Sequence, residues 1–146
     1  MRYTRRVALS DADFTALLEF RTAMRRFNRW SEKQARAVGL THAQHQLLLA
    51  VKGHPGPDQP TIGDVADYLL LRHHSAVELV NRVQAAGLLE RNRDEHDARI
   101  VRLRLTDKGE RCIEQLTELH VAEIGQLAPM LKHVIDGGEL KLGPLG

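Results

Sequence analysis

A single cysteine, Cys112, stands among the 146 residues, so neither an intrachain disulfide nor an all-cysteine metal cage is open to this chain. Such usage fits a reducing cytoplasm. Long apolar runs are also missing: the longest aliphatic stretch is Leu47–Val51, far short of the roughly 20 residues that span a bilayer. The N-terminus has no apolar signal core, so neither membrane spanning nor Sec export is expected. A dominant charge of one sign is lacking as well, since 21 basic against 19 acidic side chains leave only +2. There is no nucleophile elbow, no glycine-rich phosphate loop, no H-E-x-x-H and no repeat or low-complexity tract, which argues against an enzyme and against a bound metal or cofactor. The hydrophobic share of 42 % and charged share of 27 % are those of one ordinary globular domain rather than a disordered chain.

The charge that is present is unevenly placed. Residues 1–38 carry nine basic and four acidic side chains, and residues 72–104 carry seven and five. All seven bases of the latter block are arginines: Arg72, Arg82, Arg91, Arg93, Arg99, Arg102 and Arg104. Arginine offers phosphate a planar fork that lysine lacks. A solvated face with intrahelical ion pairs is the plainer explanation of such a pattern.

Residues 10–38 read as a long helix, with Asp11 and Asp13 near its start and Gly39 after its end. Phe14, Leu17, Phe20, Met24, Phe27 and Trp30 give it a broad apolar side that needs a partner. Thr41 and Gln44 have capping-box spacing and open a second helix to about Val51, which the loop Gly53–Pro60 closes. Thr61 and Asp64 repeat the signal for a short third helix over 62–69. A fourth helix, about 73–86, follows after a turn of about three residues and stops at Gly87, making a helix-turn-helix candidate. At 100° per residue, Ala76, Leu79, Val80 and Val83 share one side of it, while His74, Glu78, Asn81 and Arg82 lie opposite.

Leu88–Arg93 and Arg99–Thr106 read as strands around the polar tip Asp94-Glu95-His96-Asp97, with Val101, Leu103 and Leu105 alternating toward one face. Thr106 then reads as the N-cap of a last helix. In that helix Ile113, Leu116, His120, Ile124, Leu127, Leu131 and Val134 recur every 3.5 residues on average, the spacing of paired helices. Pro129 is expected to kink it and Gly137-Gly138 to end it, leaving a short flexible tail over 137–146. The fold class is therefore mainly α with a small β-hairpin wing: a winged helix-turn-helix over 40–106, flanked by helices at 10–38 and 107–136.

Three stretches in order carry a resemblance. Asp97-Ala98-Arg99-Ile100-Val101-Arg102-Leu103-Arg104-Leu105-Thr106-Asp107-Lys108-Gly109 is similar to the D-x-R-x-x-x-L-x-L-T-x-x-G wing signature of the MarR family of bacterial transcription regulators. Val65–Leu69 resembles that family's L-A-x-x-L, and Val77–Leu88 its V-x-x-L-V-x-R-L-x-x-x-G-L. The resemblance implies a homodimer joined through its N- and C-terminal helices, with two winged helices set on a pseudo-palindromic double-stranded DNA operator. It implies that His73, His74, Ser75, Val77 and Glu78 lie at or near base edges, that Asn81 and Arg82 approach phosphates, and that Arg72 is also among the DNA-binding residues. At the wing, Arg99 would reach the minor groove or its backbone with Asp97 holding its guanidinium, and Arg93 would make a second contact. Three places depart from the family pattern. Leu70 stands where a turn glycine is common, and Arg72 where an aspartate often caps the recognition helix. Glu78 further occupies a place where arginine or another polar residue is common, so base preference does not carry over.

The expected function is that of a repressor whose DNA affinity a small-molecule effector lowers, with Trp30, His42 and His45 as candidate effector contacts. A DNA-architectural or protein-binding winged helix is one alternative. A redox-sensing regulator acting through Cys112 is another, although a lone helical thiol is more often an ordinary small apolar residue.

Overall fold

A computed structural model of the chain describes residues 8–137; the expected tail beyond 137 lies outside the described residues. The elements run α1 (Asp11–Ala37), α2 (His42–Gly53), α3 (Ile62–Leu69), α4 (His73–Ala85), β1 (Leu89–Arg93), β2 (Val101–Leu105) and α5 (Asp107–Gly137). Two compact units are present. One takes in the described residues up to Trp30 and from His120 onward; the other is Ser31–Leu119. No helix among the described residues is long and apolar enough to cross a membrane.

Local chemistry sets most of the element starts. Thr41 Oγ1 accepts the Gln44 N–H at 3.1 Å while Gln44 Oε1 accepts the Thr41 N–H at 3.0 Å, a reciprocal capping box for α2. Thr61 and Asp64 do the same for α3, at 3.2 and 2.9 Å. The Asp64 carboxyl is held below its ordinary range, chiefly by that backbone N–H of Thr61. Between α3 and α4 the chain turns at Leu70, whose φ of 53° and ψ of 41° are left-handed, the conformation that glycine adopts without penalty. Leu70 thus adopts, with a side chain, the backbone that a turn glycine would adopt.

The core of the second unit forms where α2, α3, α4 and the hairpin turn their apolar faces together. Leu47, Leu48, Val65, Val80, Val83, Leu103 and Leu116 are among its fully buried members. The hairpin pairs Leu89 with Leu105 and Arg93 with Val101 in antiparallel register. Its strands are shorter than the alternation predicts. Asp94 N–H donates to Ile100 O at 2.9 Å and Ile100 N–H to Asp97 O at 3.0 Å, so Arg99 and Ile100 belong to the tip. A feature not expected from the sequence widens the hairpin: Leu103 N–H donates to Pro60 O at 2.8 Å, and Thr61 bridges to Arg102, so the end of the α2–α3 loop acts as a minimal third strand.

The exit of α4, the start of β1 and the start of α5 meet at one junction. Thr106 Oγ1 donates to Gly87 O at 2.7 Å and accepts the Gly109 N–H at 3.1 Å, capping α5 as its position suggests. Thr106 N–H donates to Leu88 O at 3.1 Å. Lys108 Nζ donates to Ala86 O at 3.2 Å. Gly109 itself lies so close to the Leu88 carbonyl that a Cβ there would overlap its oxygen. Further along, α5 continues through Pro129, which has no N–H to donate to the preceding turn.

In the first unit, Phe27 and Trp30 of α1 meet His120 of α5 with ring centroids 5.9 and 4.8 Å apart. Ala16, Ala23 and Val134 are buried there. Many larger apolar side chains of the same two helices are not: Phe14, Leu18 and Val121 are each more than 60 % exposed.

The junction makes a direct prediction. Gly109→Ala forces backbone to move where nothing flexible can yield, and it should destabilise the protein by about 1–3 kcal/mol. Thermal melting followed by circular dichroism checks this; an unchanged midpoint would show that the contact is not tight.

Candidate nucleic-acid interface

The burial of α4 divides its residues cleanly. Ala76, Leu79, Val80 and Val83 are buried. His73, His74, Glu78, Asn81 and Arg82 are exposed, with Ser75 and Val77 half-buried on the flanks. The helix begins at Arg72, whose side chain makes no capping hydrogen bond, so the expected departure at the cap leaves the first amides of α4 without side-chain partners. Arg72 itself is exposed.

The wing tip is an organised polar loop. Asp94 Oδ1 accepts the His96 and Asp97 N–H groups at 2.8 and 2.9 Å, while its Oδ2 takes Arg102 Nε at 2.6 Å. The bond from Arg102, aided by the two backbone donors, lowers the Asp94 pKa to about 2. Arg102 also donates to Gln59 O at 2.9 Å and lies 4.0 Å from Asp58, so one guanidinium ties the wing base to the α2–α3 loop. Next to it, Asp97 receives Arg99 Nε at 3.0 Å and Nη2 at 2.9 Å, and also accepts the Arg99 N–H. This fork lowers the Asp97 pKa and raises that of Arg99. The Arg99 side chain nevertheless stays 90 % exposed, a fixed charge presented to solvent. Arg93 is exposed on the same hairpin, and Arg104 pairs across the strands with Glu90 at 3.2 Å.

One interaction went unread in the sequence. Arg91 of β1 donates through Nη1 to Gln84 Oε1 and through Nη2 to Asn81 Oδ1, the latter at 2.7 Å. Period-two alternation was the available signal, because it puts Arg91 on the same strand face as the buried Leu89.

The effector candidates are distributed between the units. Trp30 packs on Phe27 and His120 in the first. His42 and His45 lie on α2 in the second; His45 is 2 % exposed, and the buried Nδ1 of His42 has no hydrogen-bond partner. The first unit contains an apolar cavity of about 270 Å³ between Phe20, Met24 and Phe27 of α1 and Ile124, Leu127 and Leu131 of α5. A second concavity, of about 320 Å³, lies between α2 and α3 beside Gln46, Leu49 and Tyr68. Cys112 packs against the core, and burial raises its thiol pKa, which disfavours the reactive thiolate.

These observations define a winged helix-turn-helix protein, in which a polar helix face and an arginine-tipped hairpin are displayed by one core. A sequence model of the MarR family matches residues 38–100. A solved MarR family protein from Bacillus stearothermophilus is 26 % identical, with a TM-score of 0.69 over 82 % of both chains. An S. aureus MepR mutant solved bound to an oligodeoxyribonucleotide is 20 % identical, with a TM-score of 0.63 over 75 % of this chain and 79 % of that one. The uncharacterized HTH-type transcriptional regulator YsmB of Bacillus subtilis (strain 168) is 36 % identical over 56 residues, a match that spans 38 % of this chain and 38 % of YsmB. The likeness to the MarR family is thus one of sequence over residues 38–100 and of fold over most of the chain.

The Asp94 network predicts a pH dependence of known sign. Its folded-state pKa lies below the ordinary 3.8, so its contribution is complete above about pH 4 and is lost as pH falls toward 2. The difference in melting temperature between wild type and Asp94→Asn should therefore be constant from pH 8 to pH 5 and shrink in acid. A gap equally large at pH 2.5 and pH 7 would contradict the assignment.

Proposed function

We propose that this protein is a sequence-specific, double-stranded DNA-binding transcription regulator that works as a homodimer. The observation that carries the reading is the exposed polar face of α4 standing on the same unit as Arg99, whose guanidinium is fixed by Asp97 and open to solvent. In this arrangement α4 enters a major groove, with Arg72, His73, His74, Ser75, Val77 and Glu78 toward base edges and Asn81 and Arg82 toward phosphates. Arg93 and Arg99 follow the backbone into the adjacent minor groove. The oligodeoxyribonucleotide bound by the structurally similar MepR mutant supports the choice of ligand.

The dimer is supported by the apolar side chains left exposed on α1 and α5, among them Phe14, Leu17, Leu18, Val121 and Ile124. A face of that size and apolarity on paired helices is what an obligate partner covers. A two-fold dimer then places both α4 helices on grooves about 34 Å apart. The output on this reading is repression, relieved by a small molecule. The apolar cavity of the first unit supports an effector of apolar character, and such a ligand weakens DNA binding only by its preference for the state that does not bind. Cys112 is not the sensor on this reading, because its thiol is half-buried against the core and burial raises its pKa, which disfavours the reactive thiolate.

Selection of bound duplexes from a random pool at two salt concentrations tests the proposal. An inverted repeat with half-sites about ten base pairs apart is expected. Salt-dependent binding without enrichment would instead favour an architectural protein. Arg99→Ala should weaken binding across sequences and reduce the slope of log K against log salt by about 0.9; an unchanged slope would remove Arg99 from the DNA.

A further inference from the structure

We infer that Arg91 is a positioning residue that sets the polarity of the side-chain amides of Asn81 and Gln84, turning their amino groups outward as donors to phosphate oxygens. The inference rests on the DNA-binding reading and deepens it. An amide carries an acceptor on one branch and two donors on the other, and nothing in its own shape decides which one faces outward. Here the choice is made. The Oδ1 of Asn81 and the Oε1 of Gln84 both accept from the one guanidinium, through separate nitrogens. The Nδ2 and Nε2 groups are left on the opposite branches, on exposed residues. Donors are what phosphate needs, since its oxygens only accept.

The placement along α4 points to backbone rather than bases. Asn81 and Gln84 lie in the C-terminal half of His73–Ala85, whereas the N-terminal residues of a recognition helix are the ones that reach base edges. At 100° per residue Asn81 falls near the middle of the exposed face, and Gln84 lies 60° toward the side on which Arg91 grips it. The fork geometry is essential, because a single guanidinium satisfies two acceptors held three residues apart on a helix. A lysine at the same place carries the same charge on a single flexible ammonium and does not hold both amides in one orientation.

The distinction between positioning and direct contact is measurable. The probe is a duplex recovered from the random pool, titrated against wild type, Asn81→Ala, Arg91→Lys and the double variant. The loss of one hydrogen bond to a charged phosphate corresponds to about a tenfold change in affinity. Asn81→Ala should weaken binding by about that factor and Arg91→Lys by at least as much, since it releases both amides, and the slope against salt should stay that of wild type, because no charge is removed. In the Arg91→Lys background, Asn81→Ala should cost less than about twofold, because the amide is no longer held. Wild-type affinity for Arg91→Lys, or losses that multiply in the double variant, would overturn the inference and make Arg91 a simple point charge.

The free protein supplies a readout independent of DNA. In nitrogen-15 spectra the side-chain NH2 signals of both Asn81 and Gln84 should shift in Arg91→Lys while backbone amides of the core stay in place. Unmoved side-chain signals would also overturn the inference. If wild type binds no duplex at all, the functional reading fails, and these spectra alone then decide whether Arg91 orients the amides.

Discussion

The close approach of α5 to the Leu88 carbonyl is the constraint on which the arrangement of α4 and the wing depends. Only a residue without a side chain fits at Gly109, and Thr106 fills the remaining space with a hydroxyl that serves both sides at once. It caps α5 and satisfies the Gly87 carbonyl beyond the end of α4. Lys108 completes the seal at Ala86 O. The end of α4 and the root of the hairpin are therefore held to the same few atoms. A change in the direction of either would break hydrogen bonds in the other, and the angle between helix and wing is rigid for that reason.

From that root the charged groups sort into those that build the surface and those that are displayed on it. The block of seven arginines read in the sequence is not one patch. Arg102 is spent on Asp94 and the Gln59 carbonyl, and Arg104 on Glu90. Arg91 bonds two amides of α4. Arg99 is both paired and displayed, since its carboxylate partner fixes the fork without covering it. Arg72, Arg82 and Arg93 stand exposed. The modest net charge of the region understates what it presents, because its acidic residues, Asp94 and Asp97 above all, orient arginines rather than cancel them.

Features legible in the sequence were those whose causes are local. The capping boxes at Thr41 and Thr61, the buried stripe of α4, the alternation of β2 and the Thr106 cap each depend on residues within a few positions of one another. The turn at Leu70 was legible as a place where glycine is usual, and its positive φ gives the reason. The rest required contacts distant in the chain. The bridge from Thr61 to Arg102 and the bond from Arg102 to Gln59 cross the whole winged unit, so no spacing rule reaches them. Arg91 looked like one more solvent-facing arginine, because its partners lie seven and ten residues away on a different element. Gly109 could be recognised as part of a motif, but the backbone it must avoid became visible only with the fold.

On the proposed reading the exposed face of α4 and the wing tip form one nucleic-acid surface. Backbone amide shifts on addition of a duplex recovered by selection test it most directly. The largest shifts should then fall on His73–Arg82 and on Arg93–Arg99, with the concavity beside Gln46, Leu49 and Tyr68 undisturbed. Shifts centred on that α2–α3 concavity, with the wing tip unmoved, would contradict it.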